Sequence, residues 1–307
     1  MNSTPPAQPD APGIDGAVSW SSQPADVNSS LLLVRNLGVS FGGLRAVQQF
    51  SLSLPAAGLC GLIGPNGAGK STVFNLLTGM NTPDAGEISL AGISLCGVAP
   101  HRIAAAGIAR TFQNIRLLPD LSVLDNVRVA AQLRCTGSLM SALLRTPAHH
   151  HCEQTLKNRA ITLLEMFDLQ KRAAEPARSL SYGHQRKLEI VRALATSPRV
   201  LLLDEPAAGL NSQEKKGLAE SIREIRSRFQ VAILLIDHDM GLVMNLCEQI
   251  VVLDHGLTIC RGTPALIQHD TAVIAAYLGA AARPGTPTGR GLAHFPAKDE
   301  QGVGGRL

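Results

Sequence analysis

Aromatic side chains are scarce in this chain: seven Phe, two Tyr and one Trp make up 3% of 307 residues. So few rings exclude a stacking platform for single-stranded nucleic acid. Charge of one sign is also in short supply. A net charge of +4 from 28 basic and 24 acidic residues is mild and lacks the concentrated basic stripe typical of a nucleic-acid binder. Long apolar runs are missing. The longest, such as VAILLI (231–236), fall far short of the ~20 residues that span a bilayer as a helix. The opening stretch MNSTPPAQPDAPG has neither a basic start nor an apolar run, so it does not read as a secretory signal. The six cysteines, Cys60, Cys96, Cys135, Cys152, Cys247 and Cys260, form no C-x-x-C pair and no zinc spacing. Scattered single thiols fit a reducing cytosol.

What is present suits an α/β protein with a sizeable core, in one large or two small domains: 45% of residues are hydrophobic and 17% charged. Residues 1–30 and 282–307 are rich in Pro, Gly, Ser or Ala and poor in large apolar side chains. They cannot bury enough surface to offset ordering entropy, which predicts two disordered tails around a folded part at 31–281. No internal repeat is visible.

Short apolar runs alternate with helical patterns. LCGLIG (59–64) reads as a buried strand that runs through a glycine loop into a helix, KSTVFNLLTG, with Gly79 as its C-cap. TPDAG (82–86) reads as a turn. VLLL (200–203) and VAILLI (231–236) are further buried strands. Between them Leu218, Ile222, Ile225 and Phe229 recur every three to four residues, the spacing of an amphipathic helix. Strand, helix and strand at this spacing predict a parallel sheet. IVVLDHGLTIC (250–260) reads instead as a hairpin around Asp254-His255-Gly256. The stretch 115–180 has helical patterns and no strong strand signal, with Leu156, Ala160, Leu163, Leu164 and Phe167 on one face, and it is read as a helical insertion in which RTPAHHHCEQ (145–154) is a loop.

GPNGAGKST (64–72) fits G-x-x-x-x-G-K-[ST] between a buried strand and a helix, the context that makes this motif a phosphate cradle. Glycine lets the backbone close around phosphate oxygens, and amides at a helix N-terminus supply positive potential. The candidate binding residues are Gly64, Pro65, Asn66, Gly67, Ala68, Gly69, Lys70, Ser71 and Thr72. Lys70 would reach the β- and γ-phosphates, and the Ser71 hydroxyl would ligate Mg²⁺. RVLLLDEP (199–206) ends a strand in two carboxylates. Asp204 would hold Mg²⁺, and Glu205 would be the general base that takes a proton from water. Without the cradle, two carboxylates before a proline would mean little. With it, the chain binds a nucleoside triphosphate. No Asn-Lys-x-Asp loop that would read guanine is found.

An ordered set of motifs carries a family resemblance: GPNGAGKS, then TFQN (111–114), LSYGHQ (180–185), LLLDEP (201–206), AGLN (208–211) and IDHDM (236–240). The chain resembles the ATP-binding subunits of ABC transporters over nearly all of 31–281. Within that family it looks closest to the first ATP-binding subunit of branched-chain amino-acid importers, with relatives serving urea and short amides. The stretches ARTFQNIRLLPDLSVLDNV and GTPALIQHDTAVIAAYLG support that branch.

The resemblance implies a P-loop NTPase core with a mostly parallel sheet, N-terminal antiparallel strands and an inserted helical subdomain at about 115–185. It implies ATP and Mg²⁺ as cofactors. Gln113 resembles the glutamine that touches Mg²⁺ and the attacking water, at the joint between core and insertion. His238 resembles the histidine that contacts the γ-phosphate and steadies Glu205. Phe41 stands where the family stacks an aromatic on adenine. Ser181, Gly183 and His184 resemble residues that meet the γ-phosphate of ATP held by a second ATP-binding subunit. The implied partners are that second subunit, two membrane-spanning permease subunits and, indirectly, a solute-binding protein, with no nucleic acid. The implied place is the cytoplasmic face of the cell's inner membrane. A soluble ATPase of this family acting on DNA or ribosomes would carry two cassettes or a long coiled coil, and neither is present.

Several departures and ambiguities accompany the motifs. Tyr182 replaces a glycine, so its ring must point away from phosphate, and His184 replaces a glutamine. Asn211 stands where the family more often has Asp. Arg186, Lys187 and Arg192 read as a solvated face or as partners of Glu189. Asp237 and Asp239 either orient His238 or cap the strand end. HHHC (149–152) is not read as a metal site, because successive residues do not converge on one ion.

Overall fold

The computed structural model describes residues 30–134 and 147–281. The two expected tails lie outside the described residues except for Ser30, which already belongs to a strand. The chain opens with β1 (Ser30–Phe41) and β2 (Leu44–Pro55), an antiparallel pair. Gly42 and Gly43 join them, both at positive φ (52° and 85°), as a two-residue hairpin turn demands. This turn sets Phe41 opposite Leu44 at the tip.

Next comes β3 (Leu59–Ile63), every residue of it buried, followed by α1 (Lys70–Leu77). Thr78 caps α1, and Gly79 follows at φ 70°. β4 (Ala85–Leu90) and β5 (Ile93–Ser94) complete the first sheet in the order β2-β1-β4-β5. Then α2 (Pro100–Ala106) leads into β6 (Ile108–Arg110).

The helical part begins with α3 (Val123–Ala131), capped by the Ser122 hydroxyl, which accepts the Asp125 N–H at 3.0 Å. Buried Asn126 donates to the carbonyls of Leu118, Leu121 and Ser122 and accepts the Leu118 N–H, so it holds the incoming loop. α4 (Pro147–Glu165) buries Ala160, Leu163 and Leu164, with Phe167 just beyond it, and Leu156 packs at the edge. The expected loop at 145–154 is therefore corrected: 147–154 is helix, and 145–146 lie outside the described residues. Pro147 suits a first helical position, where no N–H is needed. Among the described residues no group of three or more His, Cys, Asp or Glu side chains is placed to hold a metal ion. α5 (Tyr182–Ala195) packs against α3 and α4 and returns the chain to the core.

There β7 (Val200–Asp204), α6 (Ser212–Phe229), β8 (Ala232–Ile236) and α7 (Met240–Leu246) follow. The hairpin β9 (Gln249–Asp254) and β10 (Leu257–Gly262) comes next, then α8 (Pro264–His269) and α9 (Thr271–Ala281). The second sheet runs β10-β9-β3-β8-β7-β6. All its pairings are parallel except β10 on β9.

Continuous apolar strands such as β3, β7 and β8 need cover on both faces, and they have it. Ile233 and Leu235 of β8 join the core on the helical side, whereas Ala232, Leu234 and Ile236 join the core beneath the antiparallel sheet. Each such Leu or Ile contributes about 1.5–3 kcal/mol by burial. The parallel strands all end at one edge, where Ile63, Arg110, Asp204 and Ile236 stand before loops. Ligands of open α/β sheets bind at that edge.

Candidate nucleotide site

A cleft of about 560 Å³ opens at this edge, lined by Phe41, Asn66 to Thr72, Gln113, Glu205, His238 and His255, among others. Its floor is the loop between β3 and α1. Gly69 sits at φ 103°, and a Cβ there would lie 2.5 Å from the Ala46 carbonyl oxygen, so no other residue fits without moving β2. Gly256, at the tip of the β9–β10 hairpin, donates its N–H to the Ala68 carbonyl at 3.0 Å and clamps the loop from the other side.

Lys70 is buried, and its Nζ donates to the carbonyls of Gly64 (2.7 Å) and Pro65 (2.9 Å). Burial pulls this ammonium below the ordinary lysine range, opposed by the charges of Glu205 and Asp204. Ser71 and Thr72 open α1 at the cleft, as do Asn66, Gly67 and Ala68 in the loop. Phe41 is half-exposed at the hairpin tip and forms one wall.

Glu205 follows β7 in a left-handed backbone conformation, φ 48°. A non-glycine residue held there costs about 1–3 kcal/mol, which the surrounding structure must offset. Its Oε2 accepts from Gln113 Nε2 at 3.0 Å, and its Oε1 lies 2.8 Å from His238 Nε2. Two side chains from separate loops thus grip both oxygens of one carboxylate. Asp237 is buried and accepts the N–H groups of Ala207 (3.0 Å) and Asp239 (2.8 Å), joining the loop after Glu205 to the loop of His238. Burial raises its pKa above the usual Asp value. Asp239 caps α7 through the Leu242 N–H and pairs with Lys215 at 2.6 Å. Both aspartates brace the loop that carries His238.

Asp204 is buried, and its Oδ2 pairs with Arg110 at 2.7 Å. Thr111 Oγ1 accepts the Asp204 N–H at 3.1 Å. The donor set of Ser71 hydroxyl, Gln113 amide and Asp204 carboxylate is all hard oxygen, which fits Mg²⁺ rather than a softer metal.

Ser181, Gly183 and His184 lie outside the cleft. Ser181 caps α5, and its Oγ lies 2.7 Å from His184 Nδ1. The Tyr182 ring turns toward Gly209, where a Cβ would come within 2.9 Å of it, and toward the Arg186 guanidinium at 5.5 Å. Asn211 caps α6 in a capping box with Glu214.

Of the two readings of the basic residues on α5, Arg186 follows the ion pair with Glu189 and not the solvated face. This residue is buried and ion-paired to Glu189 at 3.0 Å. It also donates to the carbonyls of Phe112 (2.7 Å) and Gln113, while Glu189 accepts the Phe112 N–H at 3.0 Å. The loop of Gln113 is therefore fastened to the helix that starts at Ser181.

Arg110, His255 and Tyr277 were not singled out by sequence. Tyr277 lies on α9, and burial pushes its phenol up to about 12. Arg110 carried one usable signal, its place directly before Thr-Phe-Gln-Asn. A second, more apolar groove of about 590 Å³ lies beyond Arg110, with walls that include Met80, Ile103, Phe112, Val129 and Leu133.

A family profile described as ABC transporter matches residues 47–208. A second, described as branched-chain amino acid ATP-binding cassette transporter, matches 258–283. The chain is 45% identical to the high-affinity branched-chain amino acid transport ATP-binding protein LivG of Salmonella typhimurium, over 83% of this chain and 100% of that protein. It is 43% identical to BraF of Pseudomonas aeruginosa, likewise named, over 82% and 98%. The ADP conformation of MJ1267, an ATP-binding cassette of an ABC transporter, superposes with a TM-score of 0.70 at 27% identity, covering 81% of this chain and 99% of that one. The chain belongs to the ABC transporter family, as an ATP-binding cassette ATPase coupled to transport.

Proposed function

We propose that this chain is one of a pair of ATP-binding subunits that power an importer of branched-chain amino acids from the cytoplasmic face of the inner membrane. The observation that carries the mechanism is the grip of Gln113 and His238 on the two oxygens of Glu205. The names of the relatives at 43–45% identity support the solute class. The second profile supports the same branch.

The roles follow from the residues. Lys70 exchanges its two carbonyl partners for the β- and γ-phosphates of ATP, and the amides of 66–72 wrap them. Phe41 offers its ring to adenine. Ser71, Gln113 and Asp204 would hold Mg²⁺, which would supply charge neutralisation on the phosphates. Glu205 takes the proton of the attacking water, and His238 and Gln113 keep its carboxylate aimed. Ser181, Gly183 and His184 stand away from the chain's own cleft, in keeping with a role toward ATP held by a second subunit. Their helix N-terminus would present N–H groups to that γ-phosphate.

The folded unit is 31–281, with 115–185 as the helical arm. The apolar groove beside Gln113 suits an amphipathic cytoplasmic helix of a permease subunit. Among the described residues no helix is long and apolar enough to cross a membrane, so two membrane-spanning subunits would supply the path. A solute-binding protein would deliver the cargo. The test is ATPase activity of the subunit reconstituted with its co-purifying membrane partners. Binding protein loaded with leucine should stimulate it several-fold. Stimulation by urea- or amide-loaded protein, and not by leucine, would overturn the solute class.

A further inference from the structure

Arg110 ends β6, and Asp204 ends β7, the neighbouring parallel strand. Their side chains meet at 2.7 Å and are 8% and 5% exposed. The other arm of the guanidinium donates to Asn75 Oδ1 of α1 at 2.7 Å. The guanidinium also lies over the rings of Phe74 and Phe112, 5.3 Å and 5.1 Å from their centroids. Phe112 adjoins Gln113, and Asn75 belongs to the helix that Lys70 and Ser71 open. The three elements that carry the candidate metal oxygens thus converge on a single arginine.

The electrostatics of that arrangement are specific. A fixed guanidinium neutralises the carboxylate that would otherwise attract a divalent cation. It also repels any cation that approaches within several ångströms, in surroundings of low effective dielectric. A carboxylate has about four lone-pair sites, so Asp204 can share itself between arginine and metal once other anions balance the charge. Triphosphate oxygens supply that balance.

We propose that Arg110 is a positioning residue that makes metal loading conditional on nucleotide. It holds Asp204 ready, keeps bare divalent cations out, and yields one carboxylate oxygen when phosphate arrives. The inference rests on the reading of Asp204 as a metal-holding residue.

The test is Mn²⁺ binding to the full chain, followed by the electron paramagnetic resonance signal of free Mn²⁺, with and without a non-hydrolysable ATP analogue. Arg110→Met fits the same space against the two rings, and Arg110→Gln is a second neutral variant should the first fail to fold. Either should tighten nucleotide-free Mn²⁺ binding by about tenfold or more, from the loss of one nearby positive charge. Arg110→Lys, which keeps the charge, should stay near wild type. Unchanged or weaker nucleotide-free binding in a folded neutral variant would overturn the proposal. Asp204→Asn separates the two readings. If it leaves Mn²⁺ binding with the analogue unchanged, the metal assignment fails. If it weakens that binding while the neutral Arg110 variants tighten nothing, only the role of Arg110 fails.

Discussion

His238 Nε2 lies 2.8 Å from Glu205 Oε1, across a loop boundary 33 residues apart in sequence. The imidazole does not merely neighbour the carboxylate; with Gln113 on the other oxygen it removes the freedom of Glu205 to rotate. A carboxylate whose two oxygens are both held is aimed before substrate arrives, as the base we propose must be.

Loss of that aim has a measurable cost. His238→Ala should lower kcat for ATP about 10²-fold or more, because a catalytic group displaced by an ångström loses that much. The KM for ATP should move little, since the cradle at 64–72 remains. A variant with full kcat would remove His238 from the mechanism.

The Ser181–His184 contact predicts a pH dependence. Burial first, then the charges of Arg172 and Lys187, depress the His184 imidazole below its usual 6.5, against the weaker pull of Glu214 and Glu175. At neutral pH the ring is uncharged and Nδ1 accepts the Ser181 hydroxyl. The folded pKa of this base is lowered, so the unfolded chain takes up its proton first as pH falls below 6.5. The stabilisation is thus complete above that value and is lost toward the lower, folded pKa. ATPase activity should show an acid shoulder in that window, and His184→Gln should abolish it. A pH–rate profile identical in the two proteins would contradict this.

Arg186 joins α5 to the loop of Gln113. Arg186→Met strips a buried partner from Glu189 and leaves two carbonyls without their donor. Removing one member of a buried pair costs about 3–5 kcal/mol, or a Tm fall of roughly 6–20 °C for a domain of this size. Arg186→Lys should recover part of the stability but less of the activity, because an ammonium cannot fork to both carbonyls. Equal recovery of both would make the role purely structural.

The cradle, the paired carboxylates and the strand–helix order were legible because each is local. Lys70 is read from the seven other residues of GPNGAGKS, and β8 from an unbroken apolar run. The arginines were not legible in the same way. Arg110 meets Asp204 across 94 residues, and Arg186 meets Phe112 across 74. Their neighbours offer only hints, Thr-Phe-Gln-Asn after Arg110 and Glu189 three residues beyond Arg186, and neither hint reveals the distant partner. The helix at Pro147 was missed for a related reason: His149, His150 and His151 are indifferent helix formers, and a proline before them reads as a turn unless it stands at the first helical position.

The central claim is that two chains share two ATP molecules, with Glu205 acting on each. The direct measurement is light scattering on Glu205→Gln, at saturating ATP, with bound nucleotide counted. A dimer that retains two ATP and does not hydrolyse them is the predicted result, and Ser181→Arg on the same background should return it to a monomer that still binds ATP. A Glu205→Gln chain that binds ATP yet stays monomeric at every concentration would contradict the account.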